Sequence, residues 1–206
     1  MDIQGIQIDW LGHASFRISS EGKTIYLDPW RIKKGEKPAD LILITHSHYD
    51  HLSPDDVRRV QGDETIVVAT KDSASKLKGK IEVVKPGDEI TVGNIEIKTI
   101  PAYNIGKSYH PKTSGWAGYI VNIGGRKVYH AGDTDAIPEM KRLKVDIALL
   151  PVGGTYTMTA EEAAQIANEF NPTTAIPMHW GTIVGSKADA ERFKELFQGE
   201  TVIPIP

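Results

Sequence analysis

Four consecutive apolar residues, Leu41 to Ile44, run directly into Thr45-His46-Ser47-His48-Tyr49-Asp50-His51, and this junction constrains the chain more than any other stretch. An unbroken apolar run of that length suits a strand covered on both faces. Three imidazoles and one carboxylate then fall within six positions where that strand ends. Histidine is only an intermediate core residue, and clustered charged or half-charged groups are costly to desolvate unless something coordinates them. The density therefore reads as a metal site.

Alternation along a strand puts His46 and His48 on one side, while a turn at Tyr49 brings Asp50 and His51 round towards a second point. Two neighbouring metal positions follow. The chain has no cysteine, so thiolate ligands, disulfides and a cysteine nucleophile are excluded and any metal is held by nitrogen and oxygen. Imidazole and carboxylate suit divalent Zn or Mn first, with Fe and Ni compatible. The spacing is unlike the helical His-Glu-x-x-His of a zinc peptidase.

The rest of the chain supplies a scaffold. Short β-rich runs, Ile3 to Trp10, Ser15 to Ser19 and Thr24 to Leu27, read as an antiparallel meander before the run at Leu41. Ser53-Pro54-Asp55-Asp56 carries the marks of a helix start, with a helix expected to about Val60. A strand Ile66 to Ala69, a helical piece Asp72 to Leu77 and a strand Ile81 to Val84 follow. Glu89 to Val92 and Ile95 to Ile100 form a hairpin across Gly93-Asn94. After the long loop 101–115 the alternation resumes: strands Ala117 to Ile123 and Lys127 to His130, a helix Ile137 to Leu143, a strand Ile147 to Pro151, a capped helix Thr159 to Glu169, a strand Thr174 to Pro177 and a helix Lys187 to Phe197. Strands followed by helices in each half predict an α/β fold, two packed sheets with helices outside, an αββα sandwich in a single domain over residues 1–206.

Composition narrows the partners. With 24 basic against 27 acidic residues the formal charge is -3, which gives no basic field to draw the chain onto nucleic acid. No apolar run approaches the ~20 residues of a membrane span and no signal segment opens the chain, so a cytoplasmic protein without a membrane partner is expected. A small-molecule substrate is the expected partner, and self-association into a homo-oligomer is left open.

His-x-His-x-Asp-His at 46–51, Gly132-Asp133-Thr134, and Met178-His179-Trp180-Gly181, in that order, resemble the motifs of the metallo-β-lactamase superfamily. Leu11-Gly12-His13-Ala14-Ser15 and Leu27-Asp28-Pro29 look like the branch of small metal-dependent hydrolases related to L-ascorbate 6-phosphate lactonase. The resemblance implies a dinuclear centre: one ion on His46, His48 and a later histidine, a second on Asp50, His51 and His179, with Asp133 bridging. A water between the ions, its pKa lowered towards about 7, would be the nucleophile. Where the superfamily carries its later histidine this chain reads Pro101-Ala102-Tyr103-Asn104. The nearest imidazole, His110, is expected to fold back and complete the first site, the alternative being Asn104 and water.

Asp50 and His13 are the expected catalytic side chains, His13 as proton donor or substrate contact, and Asp28 is expected to orient a ligand histidine. His130 reads as packing. Gly153-Gly154 could meet an anion or simply turn the chain, and Lys107 and Lys112 could meet a phosphate or carboxylate or stay solvated. The expected activity is hydrolysis by a metal-bound hydroxide of a small, anionic ester, lactone or phosphodiester. An RNA or nucleotide phosphodiesterase on the same core, and a non-catalytic metal-binding scaffold, are the alternatives.

Overall fold

The computed structural model describes residues 1–205. The first half of the chain forms β1 (Asp2–Ile3), β2 (Ile6–Gly12), β3 (Ser15–Ser20), β4 (Lys23–Leu27), β5 (Ala39–Ile44), β6 (Gln61–Thr70) and β7 (Lys80–Val84). The second forms β8 (Glu89–Val92), β9 (Ile95–Pro101), β10 (Ala117–Ile123), β11 (Arg126–His130), β12 (Ile147–Pro151), β13 (Thr174–Met178) and β14 (Glu200–Thr201). Each half is one seven-stranded sheet whose strands lie in strict sequence order.

Both sheets begin antiparallel and finish parallel. β1 to β4 and β8 to β11 are antiparallel neighbours, joined by turns of a few residues except for the long loop between β9 and β10. From β4 to β7 and from β11 to β14 the pairing is parallel. Parallel neighbours need a crossover long enough to return the chain to the same end of the sheet. α1 (Pro54–Val60), α2 (Lys71–Ala74), α3 (Ala160–Phe170) and α4 (Lys187–Leu196) lie in four of these crossovers. The consequence is that β4, β5, β11, β12 and β13 all release the chain at the carboxyl ends of parallel strands, where open α/β sheets place their chemistry.

The apolar run 41–44 shows why the layers form. Leu41 and Leu43 join the large core shared by the two sheets, with Phe16, Ile18, Tyr119 and Val121. Ile42 and Ile44 face the other way, into a smaller cluster with Tyr26, Leu52, Val57 and Val60 beneath α1. Each such side chain removed from water contributes about 1.5–3 kcal/mol, so β5 is committed on both faces. α1 starts as its sequence dictates: Ser53 accepts from the Asp56 backbone N–H, and Pro54 occupies the first turn. α3 carries the full Thr159/Glu162 capping box.

Several boundaries differ from expectation for local reasons. The single strand expected over Ile3–Trp10 is broken by a tight turn at Gln4-Gly5, both at positive φ. The helices expected at Asp72–Leu77 and Ile137–Leu143 shrink to the four-residue α2 and to a 3-10 helix, Pro138–Arg142. β6 is longer than the apolar run within it, because Gln61 pairs with Ala39 beyond a register shift. β14 has only two residues and no hydrophobic pattern to announce it.

Candidate metal centre

His46 and His48 leave the end of β5 side by side, with His46 Nε2 3.1 Å from His48 Nδ1. His110 folds back from the loop between β9 and β10, and the three rings each bring a nitrogen into one group whose atoms lie within 4.8 Å of one another. A second group gathers His13, Asp50, His51 and His179 by the same measure. Asp133, on the loop after β11, stands between them. Its Oδ2 is 3.2 Å from His110 Nε2 and 3.1 Å from His179 Nε2, and its Oδ1 is 3.2 Å from His51 Nε2. The expected site residues His46, His48, Asp50, His51, His110, Asp133 and His179 are thus brought together, and His13 joins them.

The donor set fits a metal. His51 Nε2, His110 Nε2, His179 Nε2 and Asp133 Oδ1 are buried and, among the described residues, have no hydrogen-bond partner. Buried polar groups are nearly always satisfied, and four orphans aimed at one small volume mark the place of a cation. Protonation states agree. Burial holds the His46 and His48 imidazoles below their usual value, leaving lone pairs free. Burial works to raise the Asp133 carboxyl, but His179 and His51 beside it hold it well below the usual range, so it is an anion. His51 is opposed by burial yet held well above its usual value by Asp133 and Asp28; a cation entering the site displaces that proton.

Surrounding groups fix these rings. Asp28, wholly buried after β4, accepts from Thr45 N at 2.8 Å, Thr45 Oγ1 at 2.6 Å and His51 Nδ1 at 2.7 Å. One carboxylate therefore sets the start of the histidine loop and the tautomer of His51, the orienting role expected of it. Asn104 does the same for His110: its Oδ1 accepts from both His110 N and His110 Nδ1 at 3.0 Å. Asn104 and His110 are partners rather than alternatives. Trp116 packs its ring against His46 and His48 at 4.9 and 4.8 Å and is pinned through Nε1 to Asp72. Tyr119, from β10, donates to the Ile44 carbonyl at 2.7 Å and so ties the second sheet to the end of β5.

His13 sits differently from its expected place. It is fully buried, outside the lining of the pocket that opens over His48, Asp50, His110, Asp133 and His179, with Nε2 3.0 Å from Asp50 Oδ2 and its ring 3.9 Å from that of His179. Burial lowers its pKa to about 4, so it is neutral and donates Nε2–H to Asp50. The backbone of His179 donates to the His13 carbonyl at 2.9 Å, and both residues hold a positive φ. Such left-handed residues outside glycine are uncommon and gather at functional sites.

Other expectations resolve plainly. His130 is structural: Nε2–H donates to the Ala14 carbonyl at 2.8 Å and Nδ1 accepts from Gly132 N. Gly153 serves close packing, because a Cβ there would lie 2.4 Å from the His179 carbonyl. Lys107 is spoken for by Asp135 and the Thr157 carbonyl, both at 2.7 Å, and Lys112 by Glu139 and Tyr103. Asp135 was not anticipated; it is buried and receives Asn104 Nδ2, Ile105 N and Lys107. Its one signal is a second carboxylate two positions after Asp133.

The family described as "Beta-lactamase superfamily domain" matches residues 7–179. A UPF0173 metal-dependent hydrolase of Pyrococcus abyssi is 34% identical over 93% of this chain and 92% of its own length. Another from Thermoplasma acidophilum is 35% identical over 94% and 92%. Among solved structures, a protein of Parabacteroides distasonis described as a metal-dependent hydrolase superimposes with a TM-score of 0.87 at 36% identity, over 97% of this chain and 92% of that one.

Proposed function

We propose, for a chain that belongs to the metallo-β-lactamase superfamily, that it is a metal-dependent hydrolase of a small ester, lactone or phosphodiester. The observation that carries this reading is Asp133, an ionised carboxylate set between two nitrogen-rich groups, with the Nε2 atoms of His51, His110 and His179 turned towards it and, among the described residues, without hydrogen-bond partners. His46, His48 and His110 would hold one divalent ion, Asp50, His51 and His179 another, and Asp133 would touch both. Bound ions supply Lewis-acid polarisation of the scissile group and a water made acidic enough to attack near neutral pH.

The chain's own groups handle the proton. Asp50 lines the pocket. Burial works to raise its carboxyl, but the hydrogen bond from His13 and the nearby His51 hold it below its usual value, so an ionised oxygen faces the reacting centre. In the hydrolysis of an ester, the water oxygen bonds to the carbonyl carbon and the bond to the leaving oxygen breaks. One water proton passes to Asp50 and on to that leaving oxygen. His13, neutral behind Asp50, keeps the carboxylate aimed rather than donating to substrate. The proton-donor role expected of His13 therefore moves to Asp50.

Chelator-treated protein reloaded with Zn or Mn tests this. About two ions per chain, and hydrolysis of at least one of a phenyl ester, a γ-lactone and bis-p-nitrophenyl phosphate that Asp133→Ala abolishes, are the expected results. Full metal loading with silence across the panel would point to a metal-binding scaffold instead.

A further inference from the structure

The pocket over the metal centre is small, about 260 Å³, and its walls beyond the metal-facing residues are Tyr49, Tyr109, Tyr156 and Ile183. Among the described residues no lysine or arginine lines it. The two lysines of the neighbouring loop that could have reached an anion are committed elsewhere, Lys107 to Asp135 and Lys112 to Glu139. Three of these wall residues are also among the chain's large apolar side chains left open to solvent: Tyr49 is 67% exposed, Tyr109 47% and Ile183 37%. Exposed apolar groups gathered on one concave site mark a place where something apolar binds. Tyr109 and Tyr156 are braced edge-to-face, with centroids 4.8 Å apart, and Tyr49 likewise leans on Trp30 at 6.3 Å. The collar is therefore preformed, at low entropic cost to a ligand.

We propose that the part of the substrate beyond its reacting group is uncharged and apolar, an aryl or short branched alkyl group seated against Tyr49, Tyr109, Tyr156 and Ile183. This rests on the hydrolase reading of the site and departs from the anionic substrate expected from sequence. The metal ions would attract the carbonyl or phosphoryl group itself, but only the walls act on what lies beyond it. An anion there would lose water and meet no lysine or arginine among the lining residues, with the Asp50 carboxylate nearby. The fitting class is a neutral aryl or alkyl lactone or ester rather than a phosphorylated sugar derivative.

The test uses metal-loaded protein and two lactones with the same reacting ring, γ-phenyl-γ-butyrolactone and its 4-sulfophenyl analogue. The neutral lactone should be preferred in kcat/KM by about ten-fold or more, a span that pocket contacts can supply. Ile183→Ala should raise KM with kcat little changed, and Tyr109→Lys should narrow or reverse the preference. Faster turnover of the sulfonate by the wild type would overturn the inference while leaving a hydrolase. Were neither lactone cleaved, the hydrolase reading would fail on this class and binding would decide the pocket's preference. The Ile183 methyl resonance should then shift with benzamide and not with its charged analogue 4-carbamoylbenzenesulfonate, and the opposite order would sink the proposal. A dimer in sedimentation that Tyr109→Lys returns to monomer would sink it too.

Discussion

Asn104 holds two donors of one histidine with a single oxygen, and much of the first metal position depends on it. Because Oδ1 accepts His110 Nδ1–H, the lone pair is left on Nε2, the atom that faces Asp133. The amide is itself held: its Nδ2 donates to Asp135 and to the Tyr156 carbonyl, and Lys107 neutralises Asp135. A chain of three side chains, Lys107, Asp135 and Asn104, thus reaches from the surface to the His110 ring. Groups that orient a metal ligand are typically worth about 10–100-fold in affinity. Asn104→Leu should therefore weaken one of the two ions by that factor, seen by metal titration as loss of one equivalent, while Asn104→Asp, which keeps an acceptor, restores much of it. Equal weakening of both ions by Asn104→Leu would show that the residue supports the fold at large and not His110.

At the scale of elements, β10 and the loop after β11 are fitted so closely that one glycine decides the spacing. A Cβ on Gly118 would lie 2.7 Å from the carbonyl oxygens of both His130 and Ala131, and neither backbone can give way without carrying Asp133 with it. Gly118→Ala should cost on the order of 1–3 kcal/mol in denaturant unfolding of the metal-free chain, the range for forcing extra volume into a packed interior. It should also lower metal content, whereas Gly125→Ala, at a turn with nothing within 4 Å but with a positive φ, should cost stability through backbone strain and leave metal content intact. Unchanged stability in Gly118→Ala would mean the loop is more yielding than its contacts suggest. Such close approaches explain what the sequence conceals. Leu41 to Ile44, the Gly93-Asn94 hairpin and the Thr159 capping box announce themselves through local periodicity and turn chemistry, so those elements were legible. The histidine cluster was legible because no packing demand accounts for it. What stayed hidden depends on partners distant in the chain: the pairing of Gln61 with Ala39, the place of Asp135 under Asn104, and the retreat of His13 behind Asp50.

On the scale of the whole molecule, the two sheets meet at the site as well as through their shared core, so metal and proton occupancy should be read out as global stability. Tyr119 Oη on the Ile44 carbonyl, His130 Nε2 on the Ala14 carbonyl and Asp133 among the rings of both halves are bonds between sheets. Ions that bind only the folded chain stabilise it by about 2.7 kcal/mol at a hundredfold excess over Kd, or roughly 5–10 °C in Tm for a chain of this size. The pH dependence has a definite sign. His13, His46, His48 and His130 are all held below their usual value by burial. The unfolded chain takes up protons at these positions near pH ~6.5 while the folded one resists, so their contribution to stability is lost as pH falls below that value. His51, raised above its usual value in the metal-free chain, works in the opposite sense: its contribution is fully present below pH ~6.5 and fades as pH rises through the folded value. Bound metal replaces that proton and removes the opposing slope. Thermal unfolding at fixed free metal should show Tm falling steeply as pH is lowered from about 7.5 to about 5, and the chelated protein should show a lower and flatter profile over the same window. Parallel profiles for the loaded and chelated protein would mean that the His51 proton and the metal do not compete for the same place.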